Sequence, residues 1–198
     1  PIRLRLFGPI AIWRDGRELT LPASRKVRAL LAYLVLAQRA ETRSRLCELL
    51  WEEPSDPRGE LRWCLSKIRG LVDDDGHRRV QTRADTVTLD LADCFVDAIE
   101  VAKAAQTDVE ALDRADRQRL CELIGGDFLE GLEVDRSPVF DGWLAAQRRR
   151  FRDLHAGLLA RLADEATGDE AFGWLDRLLR LSPFDARAHE AMLAALAR

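Results

Sequence analysis

The chain opens with short runs in which apolar and polar residues alternate. Ile2, Leu4 and Leu6 point one way while Arg3 and Arg5 point the other, the period-two pattern of a strand with one buried face. Ile10 and Ile12 continue it, Arg14-Asp15-Gly16-Arg17 reads as a tight turn, and Leu19 and Leu21 suggest a third strand. The period then changes. Val27, Leu30, Leu31, Leu34 and Val35 share one face of a helix expected over 24–38, with Ser24 as its N-cap. Leu46, Leu49, Leu50 and Trp51 predict a second, shorter helix over 44–51, and a loop is expected at 52–57. The stretch that follows is the most informative. Leu61, Leu65, Ile68 and Val72 fall on one helical stripe, widened by Cys64 and Leu71. The rest of that helix carries Arg58, Arg62, Trp63, Ser66, Lys67 and Arg69. After a turn at Asp73–Gly76, Arg79–Thr82 and Thr86–Leu89 predict a hairpin with Arg83-Ala84-Asp85 at its tip.

Three helices followed by a hairpin describe a winged helix-turn-helix, with the third helix as the reader. A helix with one buried stripe and arginines on its other side suits a DNA major groove. The bland reading of the same helix is a solvated surface element. On the first reading, Arg58, Arg62, Trp63, Ser66, Lys67 and Arg69 face DNA from the helix, and Arg78, Arg79 and Arg83 face it from the wing. Arg83 is expected in a minor groove, and Arg78 and Arg79 on phosphates.

The second half is helical in every window. A helix from Cys94 to about 105 is expected to turn Phe95, Ala98, Ile99 and Ala102 inward, and a second runs over 114–124. Gly125-Gly126-Asp127-Phe128-Leu129-Glu130-Gly131-Leu132 lacks phosphate-loop spacing and reads as a connector packed through Phe128 and Leu132. Ser137 and Pro138 mark the start of a long helix to about 167, burying Phe140, Leu144, Phe151, Leu154, Leu158 and Leu162. Helices over 169–181 and 186–198 follow. Gly168, Ala171, Leu178, Pro183, Ala188 and Met192 stand at the small, apolar and proline positions of a tetratricopeptide-like helix pair. The final apolar helix carries no polar cap, so the chain is expected to be part of a longer regulator.

Leu30-Leu31-Ala32-Tyr33-Leu34, Glu48-Leu49-Leu50-Trp51 and Leu61-Arg62-Trp63-Cys64-Leu65-Ser66-Lys67-Ile68-Arg69 resemble the DNA-binding domain of the Streptomyces antibiotic regulatory protein family. The run Leu178–Glu190 is similar to the bacterial transcriptional activation domain that follows it in that family. The resemblance covers essentially the whole chain. It implies a mainly α fold with a small β component: an OmpR-type winged helix behind an N-terminal antiparallel sheet (residues 1–91), then an all-α repeat domain (92–198). It also implies a transcriptional activator working on promoter DNA, with direct repeats expected, and with RNA polymerase or other transcription proteins and further C-terminal domains as partners. Glu60 and Trp63 depart from the family's pattern on the reading face. The second reading is therefore an interaction adaptor whose winged helix no longer binds DNA.

Charge supports the division of labour. Residues 1–91 hold 17 Lys and Arg against 13 Asp and Glu, whereas 92–198 hold 14 against 21. A basic first half and an acidic second half place any DNA contact in the first. Neither a membrane-length apolar run nor a secretory signal is visible, and Cys47, Cys64, Cys94 and Cys121 read as reduced core or near-core thiols, so a cytoplasmic, nucleoid-associated protein is expected. Catalysis finds no support. His77, His155 and His189 lie far apart, no metal-ligand spacing occurs, and no cofactor is expected. Asp73-Asp74-Asp75 lacks the spacing of a calcium loop, and Arg148-Arg149-Arg150 with Arg152 reads as a solvated face or a contact to an acidic neighbour. The join at 90–95 lacks linker composition. The two halves are expected to form one rigid unit through Leu91, Phe95 and the strand Val87–Leu89.

Overall fold

The computed structural model describes residues 1–52, 56–104, 106 and 109–196. The loop residues 53–55, position 105 at the end of the helix expected from Cys94, and the end of the last expected helix at 197–198 lie outside the described residues. The alternating N-terminal runs form β1 (Ile2–Arg5), β2 (Ala11–Arg14) and β3 (Arg17–Glu18). β1 and β2 are antiparallel with Leu4 opposite Ile12, and Asp15 and Gly16 both take positive φ in the β2–β3 turn. Helices α1 (Arg25–Ala37), α2 (Arg43–Leu50) and α3 (Pro57–Val72) follow, and Ser24 caps α1 by accepting from the Val27 amide. β5 (Val80–Arg83) and β6 (Thr86–Leu89) make the wing. A two-residue strand β4 (Glu41–Thr42), between α1 and α2, pairs with β6 and completes a second sheet in the order β4-β6-β5.

The helix expected from Cys94 begins later. Phe95–Val96 is a strand, β7, lying parallel to β1, and α4 (Asp97–Ala104) starts only after it. The N-terminal sheet is therefore four-stranded, β3-β2-β1-β7, and its fourth strand comes from the second half of the chain. Pairing with β1 at the sheet edge outweighs the helical pattern of this stretch. Phe95, expected inward, is 37% exposed and lies beneath the Arg3 guanidinium, 5.1 Å from the ring centroid.

The remaining elements are a 3₁₀ turn at Val109–Ala111, α5 (Arg114–Leu123), α6 (Pro138–Glu165), α7 (Asp169–Leu181) and α8 (Ala186–Leu196). Ala171 and Ala188 are buried where α7 meets its neighbours. The connector between α5 and α6 reaches back to the N-terminal sheet. Phe128 bridges Phe7, the Gly8 amide donates to the Asp127 carbonyl, and the Leu129 amide donates to the Leu6 carbonyl. Phe7, Phe128 and Phe151 stack edge to face or tilted, with centroids 5.1–6.2 Å apart. Asp97, buried at the start of α4, accepts from the Leu6 and Phe7 amides. Ser137 sits at the N-cap position of α6, but its hydroxyl donates to the Leu50 carbonyl and ties α6 to the end of α2. One continuous apolar core crosses the 91/92 join. Its seam runs through the β7 backbone, buried Val96, Asp97 and the α5–α6 connector, with the Phe95 side chain outside it.

Candidate nucleic-acid interface

α3 is built to present one side. Asp56 caps it by accepting from the Gly59 amide at 2.8 Å, and Pro57 opens the first turn. A Cβ on Gly59 would stand 2.1 Å from the Asp56 carboxylate, so any other residue there would push the capping side chain from this position. Leu61, Cys64, Leu65, Ile68, Leu71 and Val72 are buried. Arg58, Glu60, Arg62, Trp63, Ser66 and Lys67 are exposed, and Arg69 is half-buried on the flank.

The exposed side is partly organised by its own contacts. Arg62 lies 3.7 Å from Asp56, and Arg58 lies 4.0 Å from Asp85 at the wing tip. Both pairs are solvent-exposed, so they are weak and exchangeable for another anion. The Lys67 ammonium sits 5.5 Å over the Trp63 ring, and Trp63 is 47% exposed. The Ser66 hydroxyl donates to the Trp63 carbonyl at 2.7 Å, leaving its oxygen lone pairs free to accept.

The wing stands beside this helix. Arg78 and Arg83 are exposed, and Ala84 at the tip takes a left-handed φ of 47°. The Arg43 amide donates to the Asp85 carbonyl, so the wing tip is held against the start of α2. This link through β4 and Arg43 was not legible in the chain, because a two-residue strand leaves no periodic signal. Arg14, expected only as a turn residue, donates to the carbonyls of Leu71 and Asp73 at 2.7 and 2.9 Å and anchors the C-terminal end of α3 to the first sheet.

Arg79 is the clear departure from the expected interface. It is 3% exposed. Its guanidinium pairs with Asp93 and Asp74 and donates to the Val72 carbonyl at 2.8 Å. It cannot reach a phosphate. It clamps the end of α3, the wing and the connector to β7. The Arg79 guanidinium in turn holds the Asp93 carboxyl down to about 2. The Asp73–Asp75 run is committed in the same way: Asp73 accepts from the Arg79 and Val80 amides, and Asp74 pairs with Arg79.

Among the described residues, no group of His, Cys, Asp and Glu has the arrangement to hold a metal ion, and no helix is long and apolar enough to cross a membrane. Cys47, Cys64 and Cys121 are buried free thiols, and burial pushes Cys64 and Cys121 up to about 11. Arg148, expected on a solvated face, donates instead to the carbonyls of Phe128 and Leu129.

Regulatory protein AfsR of Streptomyces coelicolor is 31% identical to this chain over 212 aligned residues, which span all of the chain and 20% of that protein. This similarity supports a regulator of the Streptomyces antibiotic regulatory protein type. Regulatory protein AfsR of Streptomyces griseus is 28% identical over 210 residues, again across the whole chain and 20% of its own length. The chain thus spans about a fifth of these relatives. The solved structure titled Mycobacterium tuberculosis EmbR in complex with low affinity phosphopeptide superposes with a TM-score of 0.65, at 20% identity, over 98% of this chain and 54% of that one. It shares the fold over that span. No family model matches the chain. The residues expected at the interface fall into two groups. Arg58, Arg62, Trp63, Ser66, Lys67, Arg78 and Arg83 lie together on the outer side of α3 and the wing, with Arg69 at their margin, whereas Arg79 lies beneath them.

Proposed function

We propose that this chain is the DNA-reading and effector portion of a transcriptional activator. Residues 1–91 grip promoter duplex, α3 lies in the major groove and the wing meets the adjacent minor groove. Residues 92–198 present the helical repeats to RNA polymerase or another transcription protein, in the bacterial cytoplasm at the nucleoid. The chemistry is recognition, not catalysis. One observation carries the reading: a capped sixteen-residue helix buries one full side and leaves Arg58, Arg62, Ser66 and Lys67 outward, beside a wing with Arg83 at its end. A major groove admits a helix of this kind, and an arginine fork pairs with the O6 and N7 of guanine. The relatives named as regulatory proteins support the same reading.

The experiment is selection of genomic fragments by the immobilised chain, followed by mobility shift of the selected promoter at two salt concentrations. A retarded complex that weakens steeply as salt rises is expected, because phosphate contacts release counterions. The adaptor reading draws on exposed Trp63 and on Glu60, a carboxylate on the same side. It predicts no retarded complex even at low salt.

A further inference from the structure

A cavity of about 330 Å³ opens between the Gly125–Phe128 connector, α6 and α7. Its walls share no residue with α3 or the wing. We propose that this cavity binds a small organic phosphate, a dianionic head on a compact apolar body.

The apolar part of the wall is aromatic. Phe7, Phe128 and Phe151 form one stacked group behind it, each 2% exposed, and half-buried Leu181 adds apolar surface at its edge. The polar part is cationic: Arg148, Arg152, Arg177 and Arg180 line the cavity, with Asp127 as the one carboxylate among the lining residues. Glu130 approaches Gly126 but does not line the cavity. Two of the four arginines are already neutralised. Arg152 pairs with Asp127 at 3.2 Å and Arg180 with Asp176 at 2.7 Å.

The other two have no carboxylate partner among the described residues. Arg148 is held by the carbonyls of Phe128 and Leu129, at 2.9 and 2.7 Å. Arg177 donates to the Cys121 carbonyl at 3.2 Å and packs over the Trp174 ring. Both guanidiniums are therefore fixed in place by neutral groups and keep their full charge. Two uncompensated positive charges match a phosphate monoester better than a single carboxylate, and a planar fork is the group that binds phosphate oxygens in pairs.

His155, on the same wall, completes the polar side. Its Nε2 is buried and makes no hydrogen bond among the described residues. Burial and the nearby Arg177 hold the imidazole down to about 4, so it stands neutral and can donate one hydrogen bond to an anion. A cavity of this size lies at the small end of the range for ligand sites, about 300–1,000 Å³, which favours a compact ligand.

Position gives the cavity a consequence. Phe7 and Phe128, two of its walls, are also the bridge between the N-terminal sheet and the α5–α6 connector. A ligand seated in the cavity they close off stabilises that seam by mass action.

The test is calorimetric titration of the whole chain with phenyl phosphate, inorganic phosphate, phenylacetate and phenol. Phenyl phosphate is expected to bind one per chain, inorganic phosphate more weakly and phenol not detectably. Binding is expected to raise the melting temperature and slow hydrogen exchange at the Gly8 and Leu129 amides. Arg177→Gln is expected to weaken phenyl phosphate by about tenfold or more, the loss of one charge-assisted hydrogen bond. If that variant fails to fold, His155→Gln carries the test, with weaker binding expected and, in the unmodified chain, a shift of the His155 Nε2 resonance on titration. Absence of binding to the folded chain would overturn the proposal, as would affinity unchanged in a folded Arg177→Gln variant or in His155→Gln. Phenylacetate binding as tightly as phenyl phosphate would make this a carboxylate site and overturn the phosphate assignment. A phosphotyrosine peptide binding more tightly than phenyl phosphate would overturn the small-molecule assignment in favour of a protein partner.

Discussion

Arg62 and Arg79, both expected at the DNA interface, divide between an exposed and a buried place. Arg62 is exposed near the middle of α3, with only a 3.7 Å surface pair to Asp56. Arg62→Ala is expected to cost about 1–3 kcal/mol of discrimination at one base pair while leaving the fold intact. Affinity measured on single-base operator variants checks this, and unchanged affinity and preference would remove Arg62 from the groove. Arg79 is buried in its ion-pair network, so Arg79→Gln is expected to act on stability and leave the salt dependence of DNA binding unaltered. Its electrostatic signature is Asp93. The folded carboxyl lies near 2 against an ordinary 3.8, so the folded state binds this proton less readily than the unfolded chain. That stabilisation is fully present above about pH 4 and is lost as pH falls toward 2. An NMR titration is expected to return Asp93 to its ordinary range in Arg79→Gln. A midpoint unmoved by the substitution would dissociate the two groups.

At the scale of elements, α3 depends on its start. Gly59 leaves room for the Asp56 carboxylate to cap the helix, and Arg58 and Arg62 project from the first two turns. Gly59→Ala is expected to displace that cap, at a cost of about 0.5–2 kcal/mol, and to weaken DNA binding further by fraying the turn that carries the arginines. Thermal melting and binding of the same variant test the two effects together. A variant as stable and as tight as the parent would show the cap to be dispensable. The wing offers a separate prediction. Arg83 ends β5 in solvent, so Arg83→Ala is expected to lower affinity most on operators with A·T-rich flanks, where a narrow minor groove attracts a guanidinium. Equal losses on A·T-rich and G·C-rich flanks would place Arg83 on phosphates instead.

The whole molecule is joined by buried polar contacts as much as by apolar ones. Asp97 accepts from two backbone amides ninety residues away, and the Phe7–Phe128 bridge lies beside it in the same seam. Asp97→Ala would leave the Leu6 and Phe7 amides buried without partners, at an expected cost of about 2–4 kcal/mol. Because the seam is continuous with both halves of the core, the chain is expected to unfold in one cooperative transition. Calorimetry and urea denaturation followed by tryptophan fluorescence test this. Two resolved transitions, or proteolysis cutting first between Leu89 and Phe95, would show a tethered pair instead.

What the sequence determined by itself was everything carried by short-range periodicity and local chemistry. The apolar stripes of α1, α3 and α6, the Ser24 cap, the Asp15-Gly16 turn and the hairpin after α3 were all legible, because each is specified by residues within a few positions of one another. The outward set on α3 followed from the same periodicity. Tertiary structure decided the rest. Phe95 and Val96 became a strand because β1 offered an unpaired edge, and β4 formed because β6 did the same. The place of Arg79 in the hairpin points it at phosphates, yet it is buried because Asp93 and the Val72 carbonyl converge on it from separate elements. Ser137 kept its position at the head of α6 but turned its hydroxyl to Leu50. In each case the deciding partner is distant in the chain or belongs to another element, so no pattern local to the residue encodes it. A buried polar group must find its partner wherever the fold brings one, and that requirement overrides the local expectation.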